Sequence, residues 1–218
     1  MTRAVFLDRD GVINRKPPED QYVTCWEDFH MLPDAVEGIR LLNQAGFCVI
    51  VITNQRCIAK GIMTVADLEN LHQQMSDSLA RGGATIDGIY YCPHEVEPPC
   101  RCRKPAPGML FDAASSRGIE LPASWMIGDS DIDIEAGRSA GCKTARLLTP
   151  KESSEESGSR IAASSVADIV APSLIDAVCQ ILHGEAAASS FTIAPGHTQT
   201  RSRRTVAPRS IRHLKNKH

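Results

Sequence analysis

Apolar residues in this chain come in short β-branched runs separated by stretches with a helical period. Ala4 to Leu7 and Cys48 to Thr53 are runs of strand length, and Val36, Ile39 and Leu42 recur at helical spacing after Pro33-Asp34, with Gly46 as the stop. Thr64 opens a second helix whose Leu68, Leu71, Met75 and Leu79 share one face, and Gly82-Gly83 ends it. Ile86 to Cys92 predicts a third strand, Pro107 to Ser116 a third helix, and Trp125 to Asp129 a fourth strand that finishes on an acid. A helix around Ile132 to Ala140, strands at Thr144 to Leu148 and Ala167 to Val170, and a last helix from Leu174 to Leu182 complete the series. Such alternation predicts an α/β fold: a Rossmann-like doubly wound parallel sheet with helices on both faces. No internal repeat interrupts it, and Lys151 to Ser159 is expected as a Ser/Glu-rich surface loop.

With 218 residues, 42% of them hydrophobic and 23% charged, the chain has enough material for one domain with its own core. No apolar run reaches the length of a membrane span, and the N-terminus lacks the charged-then-apolar layout of a secretion signal, so a cytoplasmic location is expected. The formal charge is −2, but Arg201 to His218 holds seven Lys or Arg and no acid, which leaves −9 on residues 1–200. An acidic body argues against a general polyanion-binding surface, and nucleic acid is not an expected partner. From about Glu185 the composition turns to Ala, Ser, Thr, Pro and Arg without apolar periodicity, predicting a domain over 1–184 and a disordered basic tail over 185–218. A monomer is expected.

Chemistry gathers at the predicted strand ends. Asp8-Arg9-Asp10-Gly11 closes the first strand with two carboxylates one residue apart, and Gly11 lets the chain turn away at once. Carboxylates that close repel unless a cation lies between them, and a magnesium ion takes such oxygen donors together with water. Thr53-Asn54-Gln55 follows the second strand, Lys104-Pro105 precedes a helix, and Asp129 ends the fourth strand. In a doubly wound sheet these ends converge on one rim, so a nucleophile, a hydroxyl, a cation and a third acid become neighbours. Strand alternation puts Arg9 on the opposite side from the two acids, away from substrate.

Cys92-Pro93-His94 and Cys100-Arg101-Cys102 form a second constellation. Two Cys-x-(His/Cys) pairs close a tetrahedral zinc site with no open position, a structural pattern that would order the proline-containing loop 92–102. Cys48 is expected in the core, and Cys25, Cys142 and Cys179, which lack partners at ligand spacing, as structural thiols.

DRDGVIN, VITNQ, CRCRKPAPGM and IGDSDID together resemble the four motifs of the haloacid-dehalogenase-like (HAD-like) phosphohydrolases, over about residues 3 to 183. The wording is similar to the branch without a cap domain that contains heptose-bisphosphate and histidinol-phosphate phosphatases. The resemblance implies that Asp8 attacks phosphorus, that Asp10 serves as acid and base, and that Thr53 and Lys104 hold phosphoryl oxygens. It implies Mg²⁺ among Asp8, the Asp10 backbone carbonyl and Asp129, with Asp133 behind them and the zinc loop beside the site. Asn54 is expected at the substrate, and Arg103 matches an arginine that contacts substrate in the heptose-bisphosphate enzymes. Where the motif commonly continues Ser-Gly after Thr-Asn-Gln, this chain has Arg56-Cys57, and Arg56 is a candidate for a further phosphate contact. The expected activity is removal of the 7-phosphate of a heptose 1,7-bisphosphate; histidinol phosphate or another small monoester is the alternative substrate. A nucleic-acid 3′-phosphatase and a non-enzymatic zinc or nucleic-acid binding module fit the residues less well.

Overall fold

The computed structural model describes residues 2–148 and 167–190, the side chains of the last helix through Ala186. The expected surface loop over 151–159 and the tail from 191 onward lie outside the described residues. Among the described residues, six strands form one sheet: β1 (Ala4–Leu7), β2 (Cys48–Asn54), β3 (Gly88–Cys92), β4 (Trp125–Gly128), β5 (Lys143–Leu147) and β6 (Ile169–Ala171). Their spatial order is β3-β2-β1-β4-β5-β6, and every neighbouring pair is parallel. The chain therefore builds outward from β1 on one side, then returns to start β4 on the other. The crevice between β1 and β4 is the switch point where open α/β sheets bind ligands.

Among the described residues, five α-helices cover the sheet: α1 (Ala35–Gln44), α2 (Val65–Arg81), α3 (Gly108–Arg117), α4 (Asp131–Ser139) and α5 (Leu174–Ser190). The period-two rule sorts the core into two layers. Val5, Leu7, Val49 and Val51 pack with Ile39, Leu42, Leu68, Leu71, Met75 and Leu174 from α1, α2 and α5. Ala4, Phe6, Ile50, Ile52 and Met126 pack on the other face with Met109, Leu110, Ala113 and Ala136 from α3 and α4. Burying each large aliphatic or aromatic side chain contributes about 1.5–3 kcal/mol. Strands buried on both faces need continuous apolar runs, which is why VFL and VIVI read so clearly.

Helix starts follow local chemistry. Thr64 Oγ1 accepts from the Asp67 backbone N–H at 3.1 Å while Asp67 returns a bond from the Thr64 N–H at 3.2 Å, a capping box that fixes the start of α2. The last helix departs from expectation: α5 runs on to Ser190, past the end expected at Leu182 and the boundary expected at 184. Its sequence there is Glu-Ala-Ala-Ala, and alanine propensity extends the helix where composition alone had suggested tail. Cys48 and Cys142 are buried as expected, whereas Cys179 is exposed and Cys25 is half-buried with its thiol on Asp28. No cap domain interrupts the described residues; loops alone join β1 to α1 and β3 to α3. No described helix is long and apolar enough to cross a membrane.

Candidate active site

Asp8 follows β1 directly, its N–H still bonded to the Ile127 carbonyl of β4 at 3.0 Å, so its carboxylate stands at the switch point. The chain then turns tightly, with the Arg9 carbonyl accepting from Ile13 and Asn14 at 2.9 and 3.1 Å. Gly11 has φ +100°, and a Cβ there would run into the Asp129 carboxylate, so glycine is what lets the fourth strand end close on this turn. A Cβ on Gly128 would likewise meet the side chain of Asp133, which this glycine allows to lie under the rim.

Lys104 ties the arrangement together. Its ammonium donates to Asp8 Oδ1 at 2.7 Å and to the Ile52 carbonyl at 2.9 Å, and pairs with Asp133 Oδ1 at 2.6 Å. The backbone beside it is clipped to the end of β2: Asn54 Nδ2 donates to the Lys104 carbonyl and the Lys104 N–H to Asn54 Oδ1, both at 3.1 Å. Asp133 also closes a capping box with Ser130 at the start of α4. Thr53 Oγ1 accepts from Gln55 Nε2 at 2.8 Å, and the same amide donates to Asp10 Oδ2 at 3.0 Å.

Two residues not expected at the site stand in it. Arg9 is 1% exposed and folds back, forking Nε and Nη2 onto the Asp10 carboxylate at 2.9–3.3 Å. Strand alternation fails here because β1 stops at Leu7 and Arg9 belongs to a turn. Lys16 reaches both oxygens of Asp129 at 3.0 and 2.7 Å. Asp8, Arg9, Asp10, Lys16, Tyr22, Thr53, Asn54 and Lys104 are among the residues lining a cleft of ≈ 240 Å³. Arg103 and Arg56 are not among its lining residues. Arg103 Nη1 donates to the His94 carbonyl at 3.3 Å, and Arg56 bonds the Tyr22 hydroxyl at 3.0 and 3.2 Å and Asp20 at 3.2 Å.

Burial pushes the Asp8 carboxyl up to about 7; Lys104 pulls it down, and Asp133 and Asp10 push it further up. Burial raises Asp129 as well, against the pull of Lys16. Burial also works upward on Asp10, but the Arg9 guanidinium together with Asn14 and Gln55 holds it below the usual carboxylate range. Carboxylate oxygens of Asp8, Asp129 and Asp133 lie within 4.8 Å of one another. Crowded, buried and all-oxygen, this donor set fits a hard divalent cation. The Asp10 carboxylate is committed to Arg9, Asn14 and Gln55, so what Asp10 can add is its backbone carbonyl.

The second cluster assembles as its spacing predicts. Cys92 Sγ lies 3.6 Å from Cys100 Sγ and 3.4 Å from Cys102 Sγ, and His94 Nδ1 lies 3.2 Å from Cys102 Sγ and 3.6 Å from Cys92 Sγ. Disulfide sulfurs sit about 2.05 Å apart. A tetrahedral ion with bonds of about 2.0–2.3 Å needs ligand–ligand edges of roughly 3.5–3.8 Å, so these four groups could hold a metal. The hydrogen bond shared by the two thiols lowers Cys102 to about 5 and raises Cys92, so the pair carries its proton on Cys92.

A family model described as HAD-hydrolase-like matches residues 101–177. A D-glycero-β-D-manno-heptose-1,7-bisphosphate 7-phosphatase from Pseudomonas aeruginosa is 40% identical over 152 residues, which are 69% of this chain and 84% of the relative. The chain belongs to the heptose-bisphosphate phosphatase family of HAD-like hydrolases. An enzyme of the same name from Rhodopseudomonas palustris is 43% identical over 145 residues, 63% of this chain and 79% of its own length. The crystal structure of D,D-heptose 1,7-bisphosphate phosphatase from B. bronchiseptica, complexed with magnesium and phosphate, superposes with a TM-score of 0.74 at 32% identity, covering 84% of this chain and 99% of that one. This HAD-like fold thus carries a proposed nucleophile whose charge state depends on what stands beside it.

That dependence has a measurable sign. The unfolded chain ionises Asp8 near the ordinary aspartate value of 3.8, whereas burial in the folded protein holds its proton up to about 7. Between those values the unfolded state binds fewer protons, so stability falls as pH rises and the effect is absent below both. Without added divalent cation, the gap in unfolding free energy between Asp8→Asn and wild type should grow in favour of the variant, by on the order of 3 kcal/mol, from pH 4.5 to 7.5. Urea titrations at both ends measure this, and parallel pH profiles would refute the buried-acid reading.

Proposed function

We propose that this chain is a magnesium-dependent phosphatase that removes the 7-phosphate of D-glycero-D-manno-heptose 1,7-bisphosphate through an aspartyl phosphate on Asp8. The observation that carries the reading is the Asp8 carboxylate held by Lys104 at 2.7 Å beside Asp129 and Asp133, within a cleft that Asp10 also lines. The substrate printed in the names of the relatives supports the choice of sugar.

In this mechanism an Asp8 oxygen attacks phosphorus in line as the bond to the C7 oxygen breaks. Asp10 gives its proton to the departing alkoxide, then takes one from the water that attacks the aspartyl phosphate. The second displacement returns the Asp8 carboxylate and inorganic phosphate. Mg²⁺, held by Asp8, the Asp10 carbonyl and Asp129, supplies positive charge for the phosphoryl oxygens when bound. Lys104 supplies more by exchanging one of its present partners for a phosphoryl oxygen. Thr53, whose oxygen accepts from Gln55, has its O–H to donate to another. A phosphate dianion entering beside Asp10 favours its protonated form, which prepares the acid for the first step.

Arg103 and Asn54 are proposed at the substrate, with Arg103 toward the distal phosphate. Arg56 holds Tyr22, a cleft-lining residue, and so shapes the entrance. Zinc is proposed for the Cys92, His94, Cys100 and Cys102 centre, where it orders the segment leading to Lys104. The catalytic domain is proposed to run through the last helix, with the basic tail after it, in the cytoplasm.

Phosphate release followed by ³¹P NMR should show loss of the C7 signal from the heptose bisphosphate in preference to histidinol phosphate, and Asp8→Asn should leave less than a tenth of the turnover. Preferred hydrolysis of histidinol phosphate, or a variant above that level, would overturn the reading. Metal analysis of protein purified without chelator should find about one zinc per chain, lost on Cys100→Ser with a fall in Tm. Zinc-free protein with four freely alkylated ligands would remove the zinc proposal.

A further inference from the structure

Arg9 presents more donors than Asp10 can take. Its Nε and Nη2 serve the Asp10 carboxylate, while Nη1 lies 3.3 Å from Nε2 of His72. His72 is fully buried on the inner face of α2, between Leu68 and Met75, and its ring tilts against Tyr91 with centroids 6.0 Å apart. A guanidinium donates and cannot accept, so Nε2 must be the unprotonated nitrogen of the imidazole. The remaining donors fix the acid from other directions: Asn14 Nδ2 reaches Oδ1 at 2.9 Å and Gln55 Nε2 reaches Oδ2 at 3.0 Å.

We infer that His72 is a positioning residue for the phosphatase reaction: by accepting from Arg9 Nη1 it locks the guanidinium plane, and through it the rotation of the Asp10 carboxyl that must deliver a proton to the leaving oxygen. The inference rests on the roles proposed above for Asp8 and Asp10. Oδ1 receives Asn14 and both arms of the fork, whereas Oδ2 receives one arm and Gln55. The fork and Asn14 therefore direct the proton to Oδ2, the oxygen with fewer donors. Without an acceptor at Nη1 the guanidinium is free to turn toward another partner, and Oδ2 loses its fixed direction. A proton donor misaimed by a fraction of an ångström matters only where the leaving oxygen needs a proton.

The test is therefore a ratio: kcat on the heptose bisphosphate, whose alkoxide is a poor leaving group, divided by kcat on p-nitrophenyl phosphate, whose leaving group needs no acid. Asp10→Asn calibrates it; if that variant leaves the ratio unchanged, the proposed role of Asp10 fails, and the inference with it. Given a fall there, His72→Leu should lower the ratio by about tenfold or more with KM changed by less than about twofold, and His72→Gln, whose Oε1 supplies the acceptor, should restore most of it. A folded His72→Leu protein that keeps the wild-type ratio overturns the inference while leaving the phosphatase reading intact. Should His72→Leu not fold, Arg9→Lys decides: it keeps the charge and loses the fork, so the ratio must fall, and an unchanged ratio overturns the inference.

Discussion

Everything at the rim depends on one buried ammonium group. Lys104 donates to the Asp8 carboxylate and the Ile52 carbonyl and forms an ion pair with the Asp133 carboxylate. Those three partners come from the end of β1, from α4 and from β2, so a single side chain joins the two halves of the doubly wound sheet. Removing one member of a buried ion pair typically costs 3–5 kcal/mol, because the stranded charge stays out of water. Lys104 also stands two residues after Cys102, so the Cys/His cluster and the buried cation share one short segment. Asn54 clips that segment to β2 from the other side.

The two carboxylates of the opening motif live in opposite surroundings. Burial holds Asp8 protonated up to about 7, while Arg9, Asn14 and Gln55 work against burial to keep Asp10 ionised. Environments that push a pair apart are a mark of acid and nucleophile assignments. The resting order is the reverse of what the proposed chemistry needs. A dication among Asp8 and Asp129 favours an ionised Asp8, and a phosphate dianion favours a protonated Asp10. In this account the loaded site exchanges the two states, so neither residue is armed until both ligands are present.

Much of this was legible in the sequence, and the exceptions have physical causes. Strands buried on both faces show as unbroken apolar runs, and motif residues at their ends converge because parallel strands share a carboxyl-terminal rim. The Cys-x-His and Cys-x-Cys pairs met as their spacing required. Arg9 departs from the alternation because it lies two residues past the end of β1, in a turn. Lys16 and His72 have no local signal: one reaches Asp129 across the fold and the other looks like a polar residue on an apolar helix face. The directions taken by Arg56 and Arg103 are set by loop contacts with Tyr22, Asp20 and the His94 carbonyl, which no periodicity encodes. The run of alanines after Glu185 is expected as tail from its composition, yet alanine propensity continues α5 to Ser190.

Stereochemistry at phosphorus tests the covalent role of Asp8 most directly. Each in-line displacement inverts the phosphorus, so transfer to Asp8 followed by attack of water gives two inversions. With a substrate made chiral at the 7-phosphate by oxygen isotopes and sulfur, and hydrolysis in isotopically labelled water, the account predicts net retention of configuration in the released thiophosphate. Net inversion would mean a single direct attack by water, and would contradict it.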